Sequence, residues 1–142
     1  MAGTATSSEQ QIVDGVPKGL YIGGEWRDAS GGGTLGVEDP ATGEIVAEVA
    51  DAQVDDALAA LGAAADAQRE WAATPTRERG EILRRAYELI LDRAGDLATL
   101  MTLEMGKPVA ESKAEVLYAA DFLHWYAGEA TRIDGTYKPA EK

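Results

Sequence analysis

Two interruptions constrain this chain more than anything else in it. From about residue 51 to about residue 132, apolar side chains recur at helical spacing, and the run is cut decisively only at Thr74-Pro75-Thr76 and at Gly106-Lys107-Pro108. Proline removes a backbone donor and collides with the preceding turn, so a helix stops before it. Glycine supplies the left-handed cap that ends a helix, and proline fits the first turn of the next. Three helical segments are therefore predicted. The first starts from Asp51 as N-cap and carries Val54, Leu58, Leu61 and Ala65 on a stripe toward Trp71. The second starts from Thr76 as cap and buries Ile82, Leu83, Ala86, Leu89 and Ile90. Arg77, Arg79, Arg84 and Arg85 lie off that stripe or beside it, and Gly95 marks a joint before Leu97, Leu100 and Met101. The third runs from Pro108 to about Arg132.

Upstream, the signals change from helix to turn. Residues 1–18 are polar and rich in Ser, Thr, Gly and Ala without sustained periodicity, which predicts a flexible tail with order beginning near Lys18. In Leu20-Tyr21-Ile22-Gly23-Gly24-Glu25-Trp26-Arg27, two short β-prone runs flank a Gly-Gly, the pair that a two-residue hairpin turn demands. Gly31-Gly32-Gly33 reads as a linker. Asp39-Pro40-Ala41-Thr42-Gly43-Glu44 reverses the chain, and Ile45-Val46-Ala47-Glu48-Val49 then partly alternates as a strand does. The chain itself is thus expected to be mostly helical, with short strands near its start. Phe122 is the only phenylalanine and the apolar fraction is rich in alanine, so its helices should pack closely through small side chains.

Charge and missing residue types exclude several functions. With 13 Lys and Arg against 25 Asp and Glu, the net charge is −12, which repels phosphate backbones and makes nucleic acid or anionic membrane poor partners. No run of about 18 apolar residues is present. Met1 to Gln10 have neither a basic start nor an apolar stretch, which predicts a cytoplasmic protein. The absence of cysteine removes thiolate metal sites and a cysteine nucleophile from this chain. No G-x-G-x-x-G joins a strand to a helix, and Gly106-Lys107 is followed by Pro108 where a phosphate loop needs Ser or Thr. His124 is the only histidine and reads as an ordinary helix residue, since no serine or cysteine sits near it in sequence. Glu111 and Glu115 fall one turn apart, the spacing of a metal pair or an acid/base couple, but a solvated acidic face is the commoner arrangement. In the third helix Tyr118, Phe122 and Trp125 share one side, while Val116, Ala120, Leu123 and Ala127 line another. Two apolar faces predict burial on both, and packing outweighs pocket lining.

Taken in order, Tyr21-Ile22-Gly23-Gly24-Glu25-Trp26, Asp39-Pro40-Ala41-Thr42-Gly43-Glu44, Trp71-Ala72-Ala73-Thr74-Pro75 and Thr102-Leu103-Glu104-Met105-Gly106-Lys107-Pro108 resemble the opening of the aldehyde dehydrogenase superfamily. The resemblance covers residues 19 to about 135. Within the family, Glu104 to Pro108 followed by Tyr118-Ala119-Ala120-Asp121-Phe122 and Trp125-Tyr126-Ala127 is most similar to succinate-semialdehyde dehydrogenases.

That resemblance implies a three-part α/β protein with a cofactor-binding domain, a catalytic domain and an oligomerisation hairpin, assembled as homo-dimers or tetramers. Residues 19–142 would be the incomplete N-terminal part of the cofactor-binding domain. It implies NAD or NADP as cofactor, a small aldehyde as substrate, and a cysteine thiolate, a hydride transfer and a glutamate-activated water as chemistry. None of those catalytic or cofactor-binding residues falls in this chain, which is expected to be a fragment inactive by itself. Two peripheral features carry over. The segment at Val37 and Glu38, with Glu104, matches a family site for a monovalent cation, and Glu115, Tyr118 and Phe122 lie near positions that line the aldehyde entrance. The competing expectation is a free-standing acidic helical module that binds a partner protein through the aromatic face of its third helix.

Overall fold

The computed structural model describes residues 7–136. A helix α1 (Ser7–Asp14) precedes two antiparallel strand pairs, β1 (Leu20–Ile22) with β2 (Glu25–Arg27) and β3 (Thr34–Asp39) with β4 (Glu44–Ala50). Four helices follow: α2 (Val54–Ala73), α3 (Thr76–Asp92), α4 (Ala94–Met105) and α5 (Val109–Glu129). The chain is therefore mostly helical, with its strands gathered near the start.

The turns form for the reasons their residues suggest. Gly23 and Gly24 both have positive φ, 65° and 90°, so the β1–β2 loop matches the twist of the strands it joins and sets Tyr21 opposite Trp26. Those two rings lie 5.1 Å apart. At the β3–β4 reversal the buried Asp39 accepts the Ala41 N–H at 2.8 Å, while its carbonyl accepts the Gly43 N–H at 2.7 Å. Register slips by one residue between Val37 and Glu38, leaving Val46 as the extra residue on β4.

Four boundaries differ from the sequence expectation, one of them the start of α3, where the N-cap is Pro75 and Thr76 is already the first helical residue. Residues 7–14 are helical where a tail is predicted, because Val13 is buried where α1 meets α4 and β4, and a contact of that kind leaves no mark on local periodicity. The N-cap of α2 is Gln53 and not Asp51: Asp56, three residues further on, accepts the Gln53 N–H at 3.0 Å. The second predicted helix is two, α3 and α4, broken at Arg93 rather than at Gly95. At its other end α4 stops as predicted, with Gly106 left-handed at φ 71°.

Asp56 does more than cap. It is 4% exposed, and its carboxylate also accepts the Ser30 backbone N–H at 3.0 Å and the Ser30 hydroxyl at 3.1 Å, with the Arg27 guanidinium 3.7 Å away. It thereby ties the exit of the first hairpin to the start of α2. The Gln53 backbone N–H, then the Ser30 N–H and hydroxyl and the Arg27 charge, hold its carboxyl below the usual carboxylate range. A carboxyl whose folded pKa is depressed stabilises the fold fully above its unfolded pKa of about 3.9, and loses that contribution as pH falls through the folded value. Asp56→Asn should therefore melt below the wild type at neutral pH, with the gap narrowing steadily below about pH 4. Melting temperatures from pH 7 downward check this, and a gap independent of pH would overturn it.

The core lies where α5 crosses α3 and α4. Ser112, Val116 and Ala120 on α5 are buried one turn apart, facing a seam that also buries Gly80 of α3 and Ala94, Ala98 and Leu103 of α4. These are small residues, as expected from an apolar fraction rich in alanine. Ser112 is fully enclosed, and its hydroxyl shares a 2.9 Å hydrogen bond with that of Thr102, so no buried polar atom is stranded there.

Candidate functional site

The aromatic face of α5 is an exposed surface among the described residues. At about 100° per residue, Val116, Ala120, Leu123 and Ala127 fall on one side of the helix and Glu115, Tyr118, Phe122 and Trp125 on roughly the opposite side. The first group is turned inward. The second is open: Tyr118, Phe122 and Trp125 are 65%, 49% and 67% exposed. This corrects the expectation of burial on both faces, because nothing among the described residues covers the aromatic one. Tyr118 and Phe122 nonetheless hold each other, edge to face with ring centroids 5.0 Å apart. Together with Asp121, Trp125 and Tyr126 they border an open depression of about 380 Å³. Of these, Asp121 and Tyr126 enter the sequence reading only as parts of the family motifs and not as site residues, although Tyr126 lies one turn beyond Phe122.

Charge on this face is partly neutralised. Glu115 forms an ion pair with Lys107 from the α4–α5 loop, which the Gly106 cap and Pro108 place beside the first turns of α5. The ion-pair partner of Glu115 is Lys107 and not Glu111, and among the described residues no group of three or more His, Asp or Glu side chains is arranged to hold a metal ion. His124 belongs to another side of α5. Its ring stacks on Tyr87 of α3 at 4.7 Å and 15°, away from the aromatic depression.

Val37 and Glu104, far apart in sequence, line one small cavity of about 50 Å³ where β3, β4 and α4 meet the end of α1. Glu38 does not line it. Glu104 is its only carboxylate, and the remaining walls are apolar apart from Lys18. Lys18 is the residue that sequence reasoning missed: its ammonium donates to the carbonyls of Val13 and Val16. A single lysine between a tail and a hairpin carries no motif.

The family model of aldehyde dehydrogenases matches residues 26–142 of this chain. The chain belongs to the aldehyde dehydrogenase family. Among curated members, the succinate-semialdehyde dehydrogenase [NADP(+)] 1 of Schizosaccharomyces pombe is 46% identical over 123 residues, covering 87% of this chain and 25% of that protein. The glutarate-semialdehyde dehydrogenase of Pseudomonas putida is 45% identical over 122 residues, covering 86% and 25%. A crystal structure of succinate-semialdehyde dehydrogenase from Burkholderia pseudomallei superposes with a TM-score of 0.83 at 41% identity, over 86% of this chain and 25% of that one. The chain thus spans about a quarter of the length of the aldehyde dehydrogenases it matches. The partner-binding module is not favoured by these matches. No helix among the described residues is long and apolar enough to cross a membrane.

Proposed function

We propose that this chain is the N-terminal segment of an NAD(P)-dependent dehydrogenase that oxidises a small semialdehyde, with succinate semialdehyde the favoured substrate, and that it contributes one wall of the aldehyde entrance. The observation that carries this reading is the two-sided α5. Its inner face is locked against α3 and α4, which holds the outer face, with Tyr118, Phe122 and Glu115, rigidly toward whatever stands opposite. The names of the relatives from S. pombe and P. putida support an aldehyde with a carboxylate tail. The Lys107–Glu115 pair supports it too, by offsetting one negative charge on a wall that such a substrate would pass. The relative from S. pombe carries NADP in its name, and no residue of this chain is assigned to holding the cofactor. Assembly as a homo-dimer or tetramer and a cytoplasmic location belong to the same proposal.

Trimming either ring should widen the entrance and weaken positioning more than chemistry. In the dehydrogenase that carries this segment, Tyr118→Ala or Phe122→Ala should cost about 1 to 2 kcal/mol of substrate positioning. At about 1.4 kcal/mol per tenfold, that is a KM raised roughly 5- to 30-fold with kcat little changed. His124→Ala, on the Tyr87 side, should leave both near wild type. Steady-state kinetics with thermal melts as control decide the matter: ring deletions that lower stability but leave KM unchanged would reduce the aromatic face to packing.

A further inference from the structure

A cavity of about 490 Å³ opens between α3 and the end of α5, within the roughly 300–1,000 Å³ typical of small-molecule sites. It shares no residue with the aromatic depression. Arg77, Glu81 and Arg84 line it from α3 at steps of four and three, and His124, Gly128 and Thr131 line it from α5 and the turn after it at the same steps, so each set presents one face. Gly80 approaches Ala127, while Tyr87, further along α3, stacks on His124, earlier along α5. The two helices therefore run antiparallel, with Arg84 toward the His124 end of the cavity and Arg77 toward the other.

Charge, free donors and open space here all suit an anion. Two arginines against the Glu81 carboxylate give the lining a net charge of +1 in a chain of net charge −12, and +2 once His124 is protonated. Arg84 spends Nε on Glu81 and one Nη on Glu88, which fixes its guanidinium and leaves the other Nη unpaired. Arg77 and the His124 ring nitrogens have no hydrogen-bond or ion-pair partner among the described residues. Gly128 has no packing reason to be glycine, since a β-carbon there would meet only the Arg132 guanidinium, at 3.9 Å. Glycine weakens a helix relative to alanine, and what its missing side chain leaves here is room in the cavity. The charged and titratable groups around His124 are Tyr87, Glu81, Arg77 and Arg84 of α3, the last with Glu88 held on it, and Asp121 one turn earlier on α5, whereas α4 lines none of the cavity. We propose that this cavity binds a small dianion, carried as a phosphate group or as a dicarboxylate, between the Arg77 and Arg84 guanidinia of α3 and the protonated His124 ring of α5. Two negative charges match the lining when His124 is protonated, and a guanidinium fork fits phosphate and carboxylate oxygens alike.

The test uses the purified 142-residue chain, whose single histidine gives its ring protons an unambiguous magnetic resonance signal. Sodium sulfate, the probe for a tetrahedral dianion, and sodium succinate, the probe for a dicarboxylate, are titrated at about pH 6.5, the ordinary histidine midpoint, against sodium chloride at equal ionic strength. At least one dianion should move the His124 signal saturably, and chloride should not. By linkage, the bound dianion should also raise the pH at which His124 titrates. Tighter sulfate binding makes the ligand a phosphate compound, and tighter succinate binding makes it a dicarboxylate. Arg77→Gln should weaken binding roughly tenfold or more, as the loss of a charged hydrogen-bond donor does. Gly128→Leu, whose side chain would occupy the cavity, should abolish binding in a chain that still folds. Arg77 is exposed, so its variant decides the matter should Gly128→Leu not fold. No saturable shift with either dianion, a shift that chloride reproduces, or a saturable shift that Arg77→Gln leaves unchanged would overturn the proposal, and Arg77 would then simply face the last carbonyls of α5.

Discussion

Incubated with succinate semialdehyde and either NAD or NADP, the purified 142-residue chain should produce no reduced cofactor above a heat-treated control. Enzymes of ordinary proficiency accelerate their reactions at least about 10⁶-fold, and an acceleration of that size needs a nucleophile, a base and a bound cofactor held together. This chain has no cysteine to supply a thiolate and no glycine loop at a helix start to receive a pyrophosphate. Its only histidine is stacked on Tyr87, and its exposed aromatic face has rings and carboxylates but no activated nucleophile. The loss is therefore expected to be complete rather than partial. Continuous absorbance of the reduced nicotinamide is the readout. Turnover that disappears on heating and is absent from an expression control would mean that the chain holds catalytic groups of its own.

The second large effect should come from Gly80, at the crossing of α3 and α5. A β-carbon built there would stand 2.8 Å from the Ala127 backbone carbonyl oxygen and 3.5 Å from the Ala130 β-carbon. Two effects compete when a helical glycine is replaced. Alanine gains up to about 1 kcal/mol of helix propensity. Overpacking a seam costs about 1 to 3 kcal/mol, and the obstacle here is a backbone atom, which cannot rotate out of the way. Overpacking should win narrowly for Gly80→Ala and clearly for Gly80→Val, whose extra methyls enter the same space with a poorer helix former, for a loss of about 2 to 3 kcal/mol. Gly62 and Gly95 supply the control, since a β-carbon at either would meet nothing within 4 Å. Their alanine variants should melt at or above the wild type while Gly80→Val melts well below it. If all four variants shift together, the close approach of α3 and α5 does not set the stability of this seam.

The points at which sequence reading succeeded are those where one residue's own chemistry decides the outcome. Gly23 and Gly24 make a turn that requires positive φ twice, Gly106 ends a helix in the left-handed region, and Pro75 and Pro108 stand at helix starts. The inner face of α5 was equally legible, because the spacing of Val116, Ala120, Leu123 and Ala127 is a property of the helix itself. Helix α1 was not. Eight residues are fewer than the ~12–15 an isolated helix needs in water, so its order comes from docking and leaves little trace in its own residues. The shift of the α2 cap from Asp51 to Gln53 has a similar origin, since Asp56 also serves Ser30, which lies 26 residues earlier.

The family itself was readable from the ordered turn and cap motifs alone, since each is a local demand on backbone conformation that a particular residue type must meet. Periodicity likewise established that α5 has two apolar faces. Which of them is covered is a matter of tertiary contact: Ser112, Val116 and Ala120 are buried where α5 meets α3 and α4, whereas Tyr118, Phe122 and Trp125 stay exposed. The convergence of Lys18, Val37 and Glu104 on one cavity was likewise decided only by the folded chain. Spacing along a helix or strand is set by backbone geometry and survives in the sequence, but proximity between residues scores of positions apart depends on how α1, the β3–β4 pair and α4 pack, and no local pattern encodes that.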